Sequence, residues 1–303
     1  VANVAVGFDL LGFPVESVGD EIEVRRVEAP GVRIVDGGEG LPTDPAKNTA
    51  TVGLVDLARE LDLSFGFEVA VRKGIPLGSG MGGSAASSVG ALVAANALLQ
   101  EPVSRERLLR YALMGEFVAS GASHPDNVAP CLYGGLTLTR SIDPVEVIKI
   151  PVPRSVLCVL VHPHARLDTR TSRGVLKREL ALGDHVRQSL NLASVLAGCY
   201  TGSLELIRGA LADVVVEPQR APLIKGFAEA KAAALAAGAL GCSISGSGPS
   251  VFAWVDSSAA ASAARDGMVA AFARAGVGAD AWISRVSDRG ARVVKLNGAP
   301  CAP

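Results

Sequence analysis

The feature that most limits what this chain can fold into is the stretch Gly78-Ser79-Gly80-Met81-Gly82-Gly83-Ser84-Ala85-Ala86-Ser87. It follows an extended run, Phe65 to Arg72, and the turn Lys73-Gly74-Ile75-Pro76, and it opens an alanine-rich apolar segment, Ala85 to Leu99, with the pattern of a helix. Four glycines within six residues let a backbone approach a ligand with no Cβ in the way. A helix N-terminus at the same spot turns unpaired N–H groups and the positive end of the helix dipole toward it, which suits an anion. The expectation is a phosphate cradle between a strand and a helix.

The 303 residues suffice for two modest domains. With 49 % hydrophobic and 19 % charged residues, a sizeable core can be buried. A net charge of −1 argues against a nucleic-acid partner held by a basic patch. The five cysteines, at 131, 158, 199, 242 and 301, form no CxxC pair, so neither a disulfide framework nor a zinc site is expected, and the setting reads as reducing and cytoplasmic. No apolar run reaches the roughly 18–20 residues of a membrane span, and no signal peptide is visible. Because the sequence starts at Val1 inside a patterned segment, a further strand is expected to precede it.

In order along the chain, Val1 to Phe13 reads as a buried turn with Asn3 and Asp9 capping their own backbone. Asp20 to Val27 alternates and reads as a strand, Gly31 to Pro45 is turn-rich, and Asn48 to Leu63 reads as a helix. Ser104 is an N-cap for a helix from Arg105 to about Ala119. On that helix Leu109, Ala112, Leu113 and Phe117 form the apolar stripe, and Glu116 lies on the same face. A carboxylate there needs a partner: a buried salt bridge, water at the rim, or a metal. Ser120 to Asn127 is a polar loop leading to a strand, Leu136 to Ser141. Three prolines between Pro144 and Pro153 place a domain boundary near residue 150, giving domains 1–150 and 151–303. The second half reads as a strand (155–161), a short helix (166–180), a long helix (186–212), a helix (222–237), a hairpin-like pair (242–245 and 250–255), a helix (258–275) and a strand (281–286), with a frayed tail beyond Leu296. Without the extra helices this is β-α-β-β-α-β, the ferredoxin-like order.

Two common phosphate motifs fit the loop only in part. Gly78-x-Gly80-x-x-Gly83 has the dinucleotide pattern, but the segment after the following helix is again helical where a second strand with a terminal acid is required. Gly78-x-x-x-x-Gly83 starts a Walker A loop, but Ser84-Ala85 stands where Lys-Ser/Thr is needed. A third glycine segment, Gly246-Ser247-Gly248-Pro249, ties two short strands together. Taken with Pro76-x-Gly78-x-Gly80-x-Gly82-x-Ser84-Ala85-Ala86 and with Asn3…Gly7-Phe8-Asp9, its order and spacing resemble the GHMP kinase superfamily. Asn3-x-x-x-Gly7-Phe8-Asp9-x-x-Gly12, Glu116-x-x-x-x-Gly121-x-x-His124-Pro125-Asp126-Asn127-Val128-Ala129-Pro130 and Glu217-Pro218-x-Arg220 are similar to the homoserine kinase branch. The resemblance runs from Val1 to about Val286.

That resemblance implies an α+β, two-domain fold, with a ribosomal protein S5 domain 2-like N-terminal domain and a ferredoxin-like C-terminal domain. It implies transfer of the γ-phosphoryl of ATP to the hydroxyl of L-homoserine, a step of threonine synthesis, and a homodimer. The loop Pro76, Leu77, Gly78, Ser79, Gly80, Met81, Gly82, Gly83, Ser84, Ala85, Ala86 and Ser87 would wrap the triphosphate through backbone N–H groups, as suits a loop without lysine. Asn48 matches the adenine position, Ser84 and Glu116 the ligands of Mg²⁺, and Asn3, Asp9, His124, Arg173, Arg220 and Gly246 the substrate contacts. Asn127 stands where sibling kinases carry a catalytic aspartate. It cannot take a proton, so the reaction would rest on positioning and charge, with a phosphate oxygen or Asp9 receiving the hydroxyl proton and His124 as another base. Met81 and Gly83 depart from the commoner Leu and Ser of the family. A mevalonate-type kinase would not need Arg173 and Arg220 together, and a ligand sensor without catalysis would not need to keep Ser84 and Glu116.

Overall fold

The structure is a computed structural model and describes residues 1–38 and 40–301. The first half contains β1 (Leu11–Gly12), β2 (Glu21–Val27), β3 (Gly31–Asp36), α1 (Val52–Glu60), β4 (Gly66–Arg72), α2 (Gly83–Asn96), α3 (Arg105–Ser120), α4 (Pro125–Tyr133), β5 (Leu136–Ile142) and β6 (Val145–Ile150). Its strands form two three-stranded sheets, ordered β2-β4-β3 and β1-β5-β6. The helices α1, α2, α3 and α4 gather over them around Leu54, Phe67, Leu92, Leu109 and Leu132, all buried. Ser104 caps α3 as its position suggests, its hydroxyl accepting the Arg107 N–H at 3.4 Å.

The second half contains β7 (Leu157–Pro163), α5 (Thr169–Gly174), α6 (Leu182–Thr201), α7 (Leu204–Ala210), α8 (Glu217–Arg220), α9 (Phe227–Ala236), β8 (Gly241–Ile244), β9 (Val251–Val255), α10 (Ser258–Arg274) and β10 (Ala279–Arg285). The sheet runs β10-β7-β9-β8, antiparallel throughout. Numbered by their own order these strands run fourth, first, third, second, the ferredoxin-like arrangement expected from the sequence. β7 and β9 are buried almost throughout because both sheet faces are covered, which explains the apolar run of β9 and of β7 as far as Val161. The two halves meet in a common core where Phe13 packs edge-on against Phe252, ring centroids 6.0 Å apart, and lies 5.6 Å from Trp254.

Several local expectations are corrected. The turn-rich stretch after Gly31 holds β3, an edge strand parallel to β4. The proline cluster flanks β6 and does not interrupt it. The segment 120–127 is only partly a loop, because Pro125, free to start a helix without its missing N–H, opens α4. The long helix read over 186–212 begins at Leu182 and breaks at Gly202, whose φ of 75° ends α6, and Ser203 then caps α7. The short helix read over 166–180 is confined to α5. In the tail beyond Leu296, Ala299–Pro300 forms β12, paired with β11 (Lys295–Leu296), and residues 302 and 303 lie outside the described residues. Phe117 is 58 % exposed, and the buried side chains of α3 are Leu108, Leu109, Tyr111, Ala112, Leu113 and Glu116. All five cysteines are free, and among the described residues no helix is long and apolar enough to cross a membrane.

Candidate active site

One cavity of about 320 Å³ lies where the two halves meet. On one side is the glycine loop. Its carbonyls are turned toward the second half: Gly78 O accepts the Leu167 N–H at 3.1 Å, Ser79 O the Ser250 N–H at 3.1 Å, and Gly80 O the Ser245 hydroxyl at 2.9 Å. The N–H groups that open α2 have no partner within the helix. Pro76, Leu77, Gly78, Ser79, Gly80, Gly82, Gly83, Ser84 and Ser87 line the cavity. Met81 and Ala85 turn into the core instead, Ala86 packs against it, and none of the three lines the cavity.

Beside the loop, the Ser84 hydroxyl donates to Glu116 Oε2 at 2.7 Å, while His124 Nδ1 lies 3.2 Å from Glu116 Oε1. Glu116 is 5 % exposed. α3 reaches α2 this closely because residue 115 is glycine: a Cβ there would stand 2.5 Å from the Ser88 hydroxyl. The pair faces the cavity from two different helices, with the His124 imidazole lining the cavity beside it, and the arrangement is an oxygen donor set suited to a hard cation.

Across the cavity are the two arginines. Arg220 is buried, donating to Gly246 O at 2.9 Å and Ser172 O at 3.2 Å. Burial, then the neighbouring Arg173 charge, draw its guanidinium down to about 10, so it stays charged at neutral pH. Arg173 donates to Asp9 Oδ1 at 2.7 Å. Asn3 spends its amide on the scaffold, donating to Gly246 O at 2.9 Å and accepting the Asp9 N–H at 3.1 Å, while still lining the cavity. Asn127 sits against the loop: a Cβ on Gly82 would be 3.2 Å from its Oδ1.

Asn48 does not join this group. It is buried, and its side chain donates to Pro42 O at 2.8 Å and accepts the Ala50 N–H at 2.9 Å. That closes the turn before α1; Leu41 and Thr49 line the cavity there instead. The loop itself carries no lysine, but one stands just before it. Lys73 lines the cavity at the foot of the loop, ion-paired with buried Asp20 and donating to Gly83 O at 2.9 Å and Ser87 Oγ at 3.0 Å. Asp20 also accepts the Gly74 and Ile75 N–H groups, pinning the turn that enters the loop. The available signal was a lysine at the exit of the strand feeding the glycines.

Asp126 is another residue that sequence reasoning passed over. It is 1 % exposed, lines the cavity, and accepts from Asn127 Nδ2 at 3.5 Å. Burial, then the Asp9 carboxylate, push its carboxyl from 3.8 up to about 7, against the pull of His124 and Arg173. The folded protein therefore holds this proton more tightly than the unfolded chain. Stability from this group is full below about 4 and is lost as pH rises from about 4 to about 7. Asp126→Asn is expected to shrink the difference in Tm between pH 5 and pH 8. An unchanged pH profile of Tm would show that the carboxyl ionises as it does in water.

Glycine cradle, paired oxygen donors and facing arginines in one cleft define a small-molecule phosphotransferase. The chain belongs to the GHMP kinase family, whose N terminal domain matches residues 48–135 and whose C terminal domain matches residues 195–274. Within that family it is similar to the homoserine kinase of Xylella fastidiosa (strain 9a5c), 53 % identical over 97 % of this chain and 91 % of that protein. The crystal structure of homoserine kinase from Cytophaga hutchinsonii, 43 % identical, superposes with a TM-score of 0.92 over 96 % of this chain and 93 % of the other. The mevalonate kinase of L. major, in complex with R-mevalonate, shares the fold at 16 % identity, TM-score 0.67, over 94 % and 92 % of the two chains.

Proposed function

We propose that this chain is a homoserine kinase, transferring the γ-phosphoryl of ATP to the side-chain hydroxyl of L-homoserine to give O-phospho-L-homoserine and ADP, in the route to threonine. The observation that carries the reading is Arg173 and Arg220 facing the glycine loop and the Ser84–Glu116 pair across one cavity. Guanidinium forks suit the carboxylate of an amino acid, and a backbone cradle suits a triphosphate. Lys73, ion-paired with Asp20 at the foot of the loop, places an ammonium on the triphosphate side.

Ser84 and Glu116 would hold Mg²⁺, which would neutralise negative charge on the triphosphate. The chain's own residues do the rest. The arginines fix one end of the acceptor, so the hydroxyl at its other end faces the cradle. Asp9 offers a carboxylate to the ammonium or hydroxyl. Asn127 takes no proton, so the rate rests on positioning and charge, and the hydroxyl proton passes to a phosphoryl oxygen or to Asp9.

The test is ADP release from Mg-ATP with L-homoserine, mevalonate and galactose in parallel. Homoserine is expected to be turned over and the other two are not. No release with homoserine would overturn the reading, and release with mevalonate alone would assign the chain to a sibling kinase.

A further inference from the structure

The first nine residues hold a concentration of backbone strain. Asn3, Val4, Ala5 and Asp9 all have φ between 45° and 68°. This is a region that non-glycine residues rarely enter, and a β-branched residue such as Val4 is a clear outlier there. Such conformations persist only where the surroundings over-determine them. Here Asn3 does so, with Gly7 N–H donating to its carbonyl at 2.8 Å and its amide tied to Gly246 and Asp9. The turn so built delivers Asp9 to Arg173 and places Phe8 in the wall of the cavity.

The ring of Phe8 has a guanidinium at each of two approaches: Arg173 Cζ is 5.3 Å from its centroid and Arg220 Cζ is 5.2 Å. Two like charges that converge on one small cavity repel each other. Each has a separate partner, Asp9 for Arg173 and the carbonyls of Ser172 and Gly246 for Arg220. The aromatic ring lies against both, and its negative face attracts cations while offering no hydrogen-bond acceptor that would compete for their N–H groups. We propose that Phe8 is a specificity-determining positioning residue, a shared aromatic seat that keeps the two guanidiniums together at the spacing that grips a carboxylate, so that the cavity selects alcohols carrying one. The inference rests on the reading that Arg173 and Arg220 take the carboxylate of homoserine.

The experiment is steady-state kinetics of Phe8→Leu and Phe8→Tyr with L-homoserine and with 3-aminopropan-1-ol, which keeps the chain, hydroxyl and ammonium but has no carboxylate. For Phe8→Leu the KM for homoserine is expected to rise roughly 10- to 100-fold, with kcat and the KM for ATP within about threefold of the parent. Its kcat/KM for 3-aminopropan-1-ol should not change, so discrimination between the two alcohols collapses. Phe8→Tyr, which retains the π face, should restore the homoserine KM to within about threefold. Equal losses on both alcohols, an unchanged homoserine KM, or a Tyr variant as poor as Leu would each overturn the proposal. Should Phe8→Leu fail to fold, Phe8→Met, of similar length and without a ring, is read in the same way. A parent enzyme inactive on homoserine would instead refute the functional reading itself.

Discussion

Glu116→Gln is expected to lower kcat by roughly 10³-fold while leaving the fold intact. The side chain keeps its shape, so the loss isolates the charge. In the parent, Oε2 accepts the Ser84 hydroxyl and Oε1 faces the His124 imidazole, so both oxygens have a defined place and the carboxylate faces the cavity in a single orientation. An amide supplies one oxygen and no charge, and a divalent cation held there as proposed would lose an anionic ligand. The competing role, a purely structural ion pair with His124, makes a different forecast. Breaking a buried pair from one side costs about 3–5 kcal/mol of stability. Melting curves and Mg²⁺ titrations of activity, run side by side, separate the two. A catalytic role shows as a raised Mg²⁺ requirement with little change in Tm. A collapsed Tm, or near-normal turnover, would sink it. Ser84→Ala should resemble Glu116→Gln in direction and be milder, because a hydroxyl is the weaker of the two donors.

What could be read in the sequence, and what could not, follows the range over which each residue acts. The glycine loop was legible because backbone freedom is a local property, and four glycines ahead of an apolar helix leave few alternatives. Glu116 was legible as an anomaly: a carboxylate three residues after Leu113 on an inward stripe needs a partner. The same periodicity misplaced Phe117, because spacing gives a helical face but not where the packing ends. β6 was hidden by its flanking prolines, which punctuate strands as readily as linkers. Lys73 escaped because what gives it meaning is Asp20, 53 residues away on the other side of β4. Asp9 and Arg173 meet across 164 residues, and the position of Phe8 between the arginines depends on that closure. Asn48 had a matching position but its amide is consumed by the neighbouring turn, which depends on where Pro42 folds back. Asp126 reads as a solvated turn residue until α4 buries it.

Gly80→Ala is expected to damage stability and both substrate sites together, because residue 80 is where the two glycine turns press back to back. Its φ is +74°, already costly for any residue with a Cβ. The added carbon would stand 2.5 Å from Gly248 O, 2.6 Å from Ser245 O and 2.7 Å from Gly248 N. All three atoms are backbone, so no rotamer relieves the contact, and the loop must move off the β8–β9 turn. That movement reaches both sides of the cavity. Gly80 O anchors the Ser245 hydroxyl, and Gly246 O, one residue on, holds Arg220 and Asn3. The loss of stability is put at about 2–4 kcal/mol, from the left-handed backbone and the overpacking combined. The KM values for ATP and for homoserine should rise together, unlike the effect expected at Phe8. Gly183→Ala is the matched control: it lies in α6 with nothing within 4 Å of an added Cβ, and should be neutral or stabilising by about 0.5–1 kcal/mol. If Gly80→Ala melts and binds like the parent, the contact between the two turns is not what aligns the phosphate cradle with the arginines.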